Sequence, residues 1–560
     1  MDKRTILAIV LSLAVLLIYQ IFFMKPPAPR QAAAPKSSTE QIKKEPAPIQ
    51  PPVSAAQTSA LPSTGGNAAP EAPARDITVD TKNYTAIFST RGAALKSLKL
   101  KGFYSECREC PDDLWPKIKN LFIGGKAPDK TKSNEFIELV DIRDGMPYPL
   151  AVTFPESSAD VSPEAIFDTA AVKMDLINVR EKRQLVFSKT YDHLQMEKIY
   201  TFDPSGYTIS MDVKVRNLTA APITQIPRLN WYQYVDPLKV DDSYGHDGPA
   251  ASVGGGIERQ EVKKLESETV LGPNVLWGAF ESKYFIAAFI PENPSLSSLF
   301  MNRNEKHMVS VGLKGRKEVI PAGQNSVFSY SLYLGPKQYD LLKTLGVGLE
   351  SAIDYGWFAW LAIPALYILN FLYGFVQNYG IAIIILTTII KIIFWPLGNM
   401  SYKSMNEMKK LQPKIEALKE KYKNDQAKIG QETMALYREH KVNPFSGCLP
   451  MLIQIPVFFG LYKALMYSIE LRHSPFFFWI MDLSAHDPYY ITPIIMGATQ
   501  FISQKMTPAM GDPMQQKVML LMPVIFTFFF LSFPSGLVIY WLFNNILQIG
   551  QQFYINKKLA

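Results

Sequence analysis

Apolar and polar positions divide this chain into regions of different period. Residues 5–24 form an apolar run of about 20 residues, the length a helix needs to cross a bilayer. The run follows Asp2-Lys3-Arg4, and Lys25 and a proline pair separate it from Ala32-Ala33-Ala34. It exceeds the usual core of a cleaved signal peptide, so residues 1–24 are expected to be an uncleaved signal anchor. Residues 25–75 are rich in Pro, Ala, Ser and Gln and predict a flexible linker with no core of its own. Alternation with period two then appears, as in Tyr84-Thr85-Ala86-Ile87-Phe88 and from Tyr207 to Val215, punctuated by Gly, Asn, Asp and Pro. Many short strands with turn signals predict an all-β sandwich domain over residues 76–345.

Longer apolar runs follow. Residues 354–378 are apolar and aromatic and contain Pro364; residues 380–397 are apolar or hydroxyl-bearing except for Lys391. Both have the length to span. Residues 401–441 carry ten Lys and Arg, the strongest basic excess beside any span, which predicts a cytoplasmic location. Only one of the two preceding runs can then cross. Residues 354–378, with Trp and Tyr suited to the membrane interface, are expected to be an interfacial helix on the sandwich side. Residues 401–441 predict a helical hairpin. Met405, Met408, Leu411, Ile415, Leu418 and Tyr422 make one stripe, Asn424-Asp425 a turn, and Ile429, Met434 and Tyr437 a facing stripe. Residues 448–468, 490–504 and 518–554 are further membrane zones, the last broken at Phe533-Pro534-Ser535-Gly536. The count is six spans, with both termini cytoplasmic.

Composition narrows the function. The 560 residues carry a formal net charge of +8, but no Arg-rich stripe with interleaved aromatics, so no nucleic-acid role is expected. Walker A, HExxH and serine-nucleophile motifs are missing, and neither an enzyme nor a cofactor or metal site is expected. Of three cysteines, Cys107 and Cys110 form a CxxC that reads equally as a local disulfide or an incidental pair, with no second Cys/His pair to complete a zinc site. Tyr244-Gly245-His246-Asp247 reads as a turn, with a sugar-contacting loop as its alternative.

Lys391 is the most informative residue. A charge at bilayer depth costs roughly 2.5–3.5 kcal/mol at a helix centre, so such residues face protein or water. It is placed about six residues from the cytoplasmic end of its helix, roughly 9 Å along the axis. Polar groups recur in the neighbouring spans, and a candidate groove combines Lys391 and Thr387 with Gln454, Gln500, Tyr540, Asn544 and Asn545. Phe458, Leu461, Phe526 and Phe528 are the candidate apolar slide beside it. From the residues alone, an insertase and a secondary transporter remain alternatives. An inverted repeat and core acidic ligands, common in transporters, are not evident.

Several long motifs resemble one family. They are Lys441-Val442-Asn443-Pro444, Gly447-Cys448-Leu449-Pro450-Met451-Leu452-Ile453-Gln454-Ile455-Pro456, the LQPKI core at 411–415, Asp487-Pro488-Tyr489-Tyr490, Asp512-Pro513-Met514-Gln515-Gln516-Lys517, and Met522-Pro523-Val524-Ile525-Phe526 running on to Phe533-Pro534-Ser535-Gly536-Leu537. The chain resembles the YidC/Oxa/Alb family of membrane protein insertases, in the Gram-negative layout with a large periplasmic domain. The resemblance implies a multi-pass α-helical membrane protein: a signal anchor plus a five-helix insertase core over residues 379–556, with a periplasmic all-β supersandwich similar to sugar mutarotases. It implies a hydrophilic groove with a positive residue, usually arginine and here Lys391. It also implies nascent membrane proteins, the Sec translocon, and the ribosome or targeting machinery as partners in the bacterial inner membrane. The long basic tail of some members is reduced here to Lys557-Lys558-Leu559-Ala560.

Overall fold

The computed structural model describes residues 73–114, 134–169, 176–236, 245–423, 425–440, 442, 449–507 and 513–559. The expected signal anchor, the linker up to residue 72, Tyr244 and Cys448 lie outside the described residues. The chain forms two compact units. One contains residues 416–435, and the other residues 72–415 and 436–560.

Strands run from Asp76 to Pro336. A nine-stranded sheet has the order Gly256–Arg259, Gly248–Val253, Val275–Glu281, Phe285–Pro291, Asn325–Pro336, Thr208–Asn217, Leu194–Phe202, Arg183–Thr190, Asp168–Thr169. Two five-stranded sheets accompany it. One is built around Tyr84–Ser89, the other around Met308–Lys314. Alternate residues of Leu194–Phe202 are buried, as a strand with one face on a core requires. Ile77, Phe88, Tyr200, Met211, Trp231, Phe289 and Leu313 share that core.

Phe285–Pro291 departs from alternation, because all seven of its residues are buried. Phe285, Ala287 and Phe289 face the sandwich core. Ile286, Ala288 and Ile290 face a second cluster, with Leu342, Leu349, Ile353, Leu366 and Ala464. A strand covered on both faces reads as a continuous apolar run, and this one (FIAAFIP) seats the sandwich on the helices.

The helices that follow are α1 (Tyr339–Thr344), α2 (Ala359–Val376), α3 (Tyr379–Ile393), α4 (Trp395–Lys421), α5 (Gln426–Glu439), α6 (Leu449–Tyr467), α7 (Ile491–Met506), α8 (Pro513–Phe530) and α9 (Ser535–Leu559). α9 packs against α3 and α7, α2 against α3 and α6, and α8 against α7. By length and composition, Gly356–Val376 is the one described helix able to cross a membrane alone; Ile453–Tyr467 and Met519–Phe530 are apolar but shorter. Its exposed Trp357, Trp360, Phe371 and Phe375 form an aromatic outer face.

α3 ends at Ile393, and α4 leaves it at a bend of 60°. This corrects the expected end at Leu397. Lys391 lies in the last turn of α3, two residues from its end rather than six, because the chain turns at Phe394 before its apolar pattern runs out. In the unit of residues 416–435, Asp425 caps α5, its carboxylate accepting from the Lys428 N–H at 3.0 Å. Lys421 and Lys428 both sit over the Tyr422 ring.

Candidate functional site

α9 carries polar side chains toward two neighbours. Toward α6, the Gln454 amide donates to Asn544 Oδ1 at 3.1 Å, and the Tyr540 hydroxyl is hydrogen-bonded to Gln454. Toward α7, Trp541 Nε1 donates to Gln500 Oε1 at 3.2 Å, and Asn545 Nδ2 to the Met496 carbonyl at 3.3 Å. Such bonds between apolar helices are worth about 0.6–2 kcal/mol each. The residues expected to share one groove are thus divided between two sides of α9. Gln454, Asn544 and Tyr540 meet, while Gln500 and Asn545 are satisfied at the α7 contact.

Thr387 is buried and donates to the carbonyl of Ile383 one turn earlier. Its hydroxyl is spent within its own helix. Lys391 is half-buried, and among the described residues no carboxylate pairs with it. A long cationic side chain in this position, without an anionic partner, is stable only where its ammonium reaches water or headgroups.

The apolar slide residues separate in the same way. Phe528 is 76% exposed, and with Leu521, Val524, Ile525 and Phe529 it makes the outer face of α8. Leu461 is 3% exposed and belongs to the helical core. Phe458 packs edge-on against Trp541 at 4.7 Å, and Phe526 stacks on the same indole. Leu461 is therefore corrected to a core residue. Helical spacing could not tell it from a lipid-facing position, because α6 is apolar nearly all round.

The end of the bundle nearest the sandwich is closed by the connector 468–490. Its Ala485 and Leu483 carbonyls accept from the N–H groups of Ser535 and Gly536, satisfying the orphan donors that open α9. Asp487 accepts from the Trp479 indole and from the N–H and hydroxyl of Thr492, capping α7. The resemblance had singled out Asp487 by motif; its role here is to fix two connector elements and a helix start.

A charged cluster that patterning missed lies where the sandwich meets the helices. Glu281 is fully buried and pairs with Arg259 at 2.7 Å and Lys337 at 2.6 Å. Burial pushes its carboxyl up, but Lys337 and Arg259 outweigh that and hold it below the usual carboxylate range. Arg259 also donates to the Ala352 carbonyl, and Lys463 of α6 reaches Asp354 at 3.3 Å. His246 Nε2 donates to the Pro249 carbonyl at 3.0 Å, and burial lowers the pKa of its ring. Charged residues far apart in sequence give no periodic signal, so this cluster was invisible until folded.

Comparisons with known proteins match family models to two parts of the chain and relatives to its full length. A family model described as 60Kd inner membrane protein matches residues 371–560, and one described as YidC periplasmic domain matches residues 128–368. The membrane protein insertase YidC of Syntrophus aciditrophicus (strain SB) is 55% identical over 570 residues, covering 100% of each chain. That of Citrifermentans bemidjiense is 41% identical over 576 residues, again covering 100% of each. A crystal structure of an active YidC insertase with its first transmembrane domain resolved covers 86% of this chain and 92% of that one, at 20% identity and a TM-score of 0.36.

Proposed function

The chain belongs to the YidC family of membrane protein insertases, which are not enzymes, and from that premise we propose how its residues carry out insertion in the bacterial inner membrane. A water-filled groove open to the cytoplasm holds Lys391, with Gln454, Tyr540 and Asn544 along its wall. The observation that carries this reading is Lys391, half-buried in an apolar helix with no carboxylate paired to it among the described residues. A charge left unpaired at such a place needs hydration.

Insertion faces one main barrier, the passage of polar backbone and side chains through hydrocarbon. Burying a polar group without partners costs roughly 2–7 kcal/mol. A groove that carries water partway across shortens the dry path. Short helices shorten it further. α3 has 15 residues and α7 has 16, about 22–24 Å at 1.5 Å per residue against a hydrocarbon core near 30 Å, so the bilayer thins or the helix ends sit in protein. Lys391 attracts acidic groups of the arriving segment. Lysine offers a point charge rather than the planar fork of arginine, and holds a carboxylate less specifically. The client's apolar segment leaves along the exposed face of α8 around Phe528, driven by burial in lipid at roughly 25 cal/mol per Å².

The topology that goes with this mechanism has six spans, cytoplasmic termini, the sandwich in the periplasm, and α2 lying in the interface. Nascent membrane proteins and the lipid bilayer are the immediate partners. The α4–α5 hairpin receives the ribosome or targeting machinery, and larger clients pass from the Sec translocon.

Photo-crosslinkers at positions 454 and 528 test the reading with a membrane protein stalled on the ribosome. Both are expected to capture the nascent chain. Capture at neither position overturns the path. Lys391→Ala is expected to slow insertion of clients with acidic translocated segments by roughly fivefold, the value of about 1 kcal/mol for a solvated charge pair. Equal insertion of every client would remove the electrostatic role.

A further inference from the structure

Cys107 and Cys110 are joined in a disulfide. The ring closes across a sequence separation of three, and a loop that short adds little to global stability by restricting the unfolded chain. Its effect must be sought locally. Both half-cystines are only partly buried, and Arg108 and Glu109 between them are exposed, so the bond is open to attack by a thiolate.

The turn lies at the end of strand Ala94–Tyr104 and grips the connector 468–490 along its length. Arg472 donates to the Tyr104 carbonyl at 2.7 Å and to the Ser105 carbonyl at 3.2 Å. Cys107 Sγ lies 3.9 Å from the Met481 carbonyl oxygen, and a carboxylate oxygen of Asp482 lies within 4.8 Å of both sulfurs. Beyond the turn, Asp113 meets the His486 ring and the Tyr490 hydroxyl, each at 3.1 Å, and the Leu114 N–H donates to the Pro488 carbonyl. The same connector supplies the carbonyls and carboxylate that fix the starts of α7 and α9. A continuous line of contacts therefore runs from the disulfide to the starts of α7 and α9, the second of which carries Tyr540 and Asn544.

We propose that Cys107–Cys110 is a thiol-exchange site whose reduction by a dithiol loosens the connector that closes the bundle. A thiolate of the dithiol attacks one cystine sulfur, and the S–S bond breaks to a mixed disulfide. The second thiol of the reductant displaces the remaining sulfur, leaving the reductant oxidised to its own disulfide and two protonated thiols on the chain. The turn then loses the ring that sets its shape. The carbonyls offered to Arg472 and the Asp113 contacts are released with it. Asp482 opposes this, because a carboxylate beside the sulfurs disfavours the leaving thiolate, so the clasp stays closed until a strong dithiol acts. The proposal rests on the sandwich facing an oxidising compartment, as in the function proposed above.

The test uses the full chain carrying Cys448→Ser in lipid nanodiscs, titrated with dithiothreitol. Alkylation mass shifts count the free thiols, and hydrogen exchange is followed in parallel. On reduction, exchange in residues 471–490 and at the first turns of α7 and α9 should rise at least tenfold, while the strands of the sandwich core stay unchanged. Cys107→Ser combined with Cys110→Ser should reproduce the reduced pattern without dithiol; should that variant not fold, the titration of the native pair decides. Unchanged connector exchange in the reduced chain overturns the proposal, as does a rise spread evenly over the sandwich, and so does a pair found as free thiols before any reductant is added. None of these readouts depends on client insertion, so the clasp and the groove can fail separately.

Discussion

Lys198 shows how much a single side chain can resist its pattern. It occupies an inward position of Leu194–Phe202, between Met196 and Tyr200, and is 1% exposed. Its ammonium donates to the Gly92 carbonyl at 2.7 Å and approaches those of Ala93 and Leu150. Burial pushes its pKa down to about 7. In the unfolded chain the group holds its proton up to about 10.5, so between these values the unfolded state binds more protons and stability rises with pH. The penalty is complete below about 7 and fades toward 10.5. Denaturant titrations of the solubilised chain should show sandwich stability climbing from pH 7 to pH 10, and the climb should be missing in Lys198→Met. Glu281 also gains with rising pH, in a more acidic window and through ion pairs formed rather than a penalty relieved. Its ion pairs contribute above the unfolded carboxyl value near 4.5 and are lost as pH falls through its lowered folded value. Glu281→Gln leaves Arg259 and Lys337 facing each other without a counter-charge, and should cost about 3–5 kcal/mol in the same titration at neutral pH. Neither residue was legible in the sequence. Lys198 sits where alternation asks for an apolar side chain, and Glu281 meets its partners only through tertiary pairing. Lys391 was legible, because a lone charge in a long apolar run needs no partner to be noticed.

Helices were easier to place than their ends. The break at Phe533-Pro534-Ser535-Gly536 and the turn after Tyr422 could be read from proline, glycine and asparagine. The stop of α3 at Ile393 was hidden by the apolar residues that continue through Leu397, although Pro396 just beyond it is a local signal for a break. Contact faces are also hidden where a helix is apolar all round, which is why the pattern does not separate Leu461, which lies inside, from an outward position. Small residues mark the close approaches instead. A methyl group at Gly497 would fall on the Thr527 side chain, and one at Gly460 would come 2.7 Å from Leu361 Cβ. Gly497 thus sets the spacing of α7 and α8, as small residues do between membrane helices. Gly497→Leu should force these helices apart at a cost of about 1–3 kcal/mol. A lower melting temperature in micelles checks this, and Gly497→Ala should show a smaller effect of the same sign.

In the molecule as a whole, the sandwich is joined to the helical bundle by one strand covered on both faces, a buried ion cluster and the connector 468–490. Each joint restrains the end of the bundle nearest the sandwich, and none of them reaches Lys391 at the other end of α3. In the function proposed above, the side held by these joints stays shut while the opposite side admits a polar chain, and hydration around Lys391 is the condition for everything else. The decisive measurement is aqueous labelling at that position. Lys391→Cys, in a chain carrying Cys448→Ser, should react in sealed membrane vesicles with a membrane-impermeant maleimide supplied from the cytoplasmic face, at a rate within about tenfold of a cysteine at the exposed position 428. A position 391 that is inert from both faces, while position 428 reacts fully, would mean a dry helix end and would contradict the account.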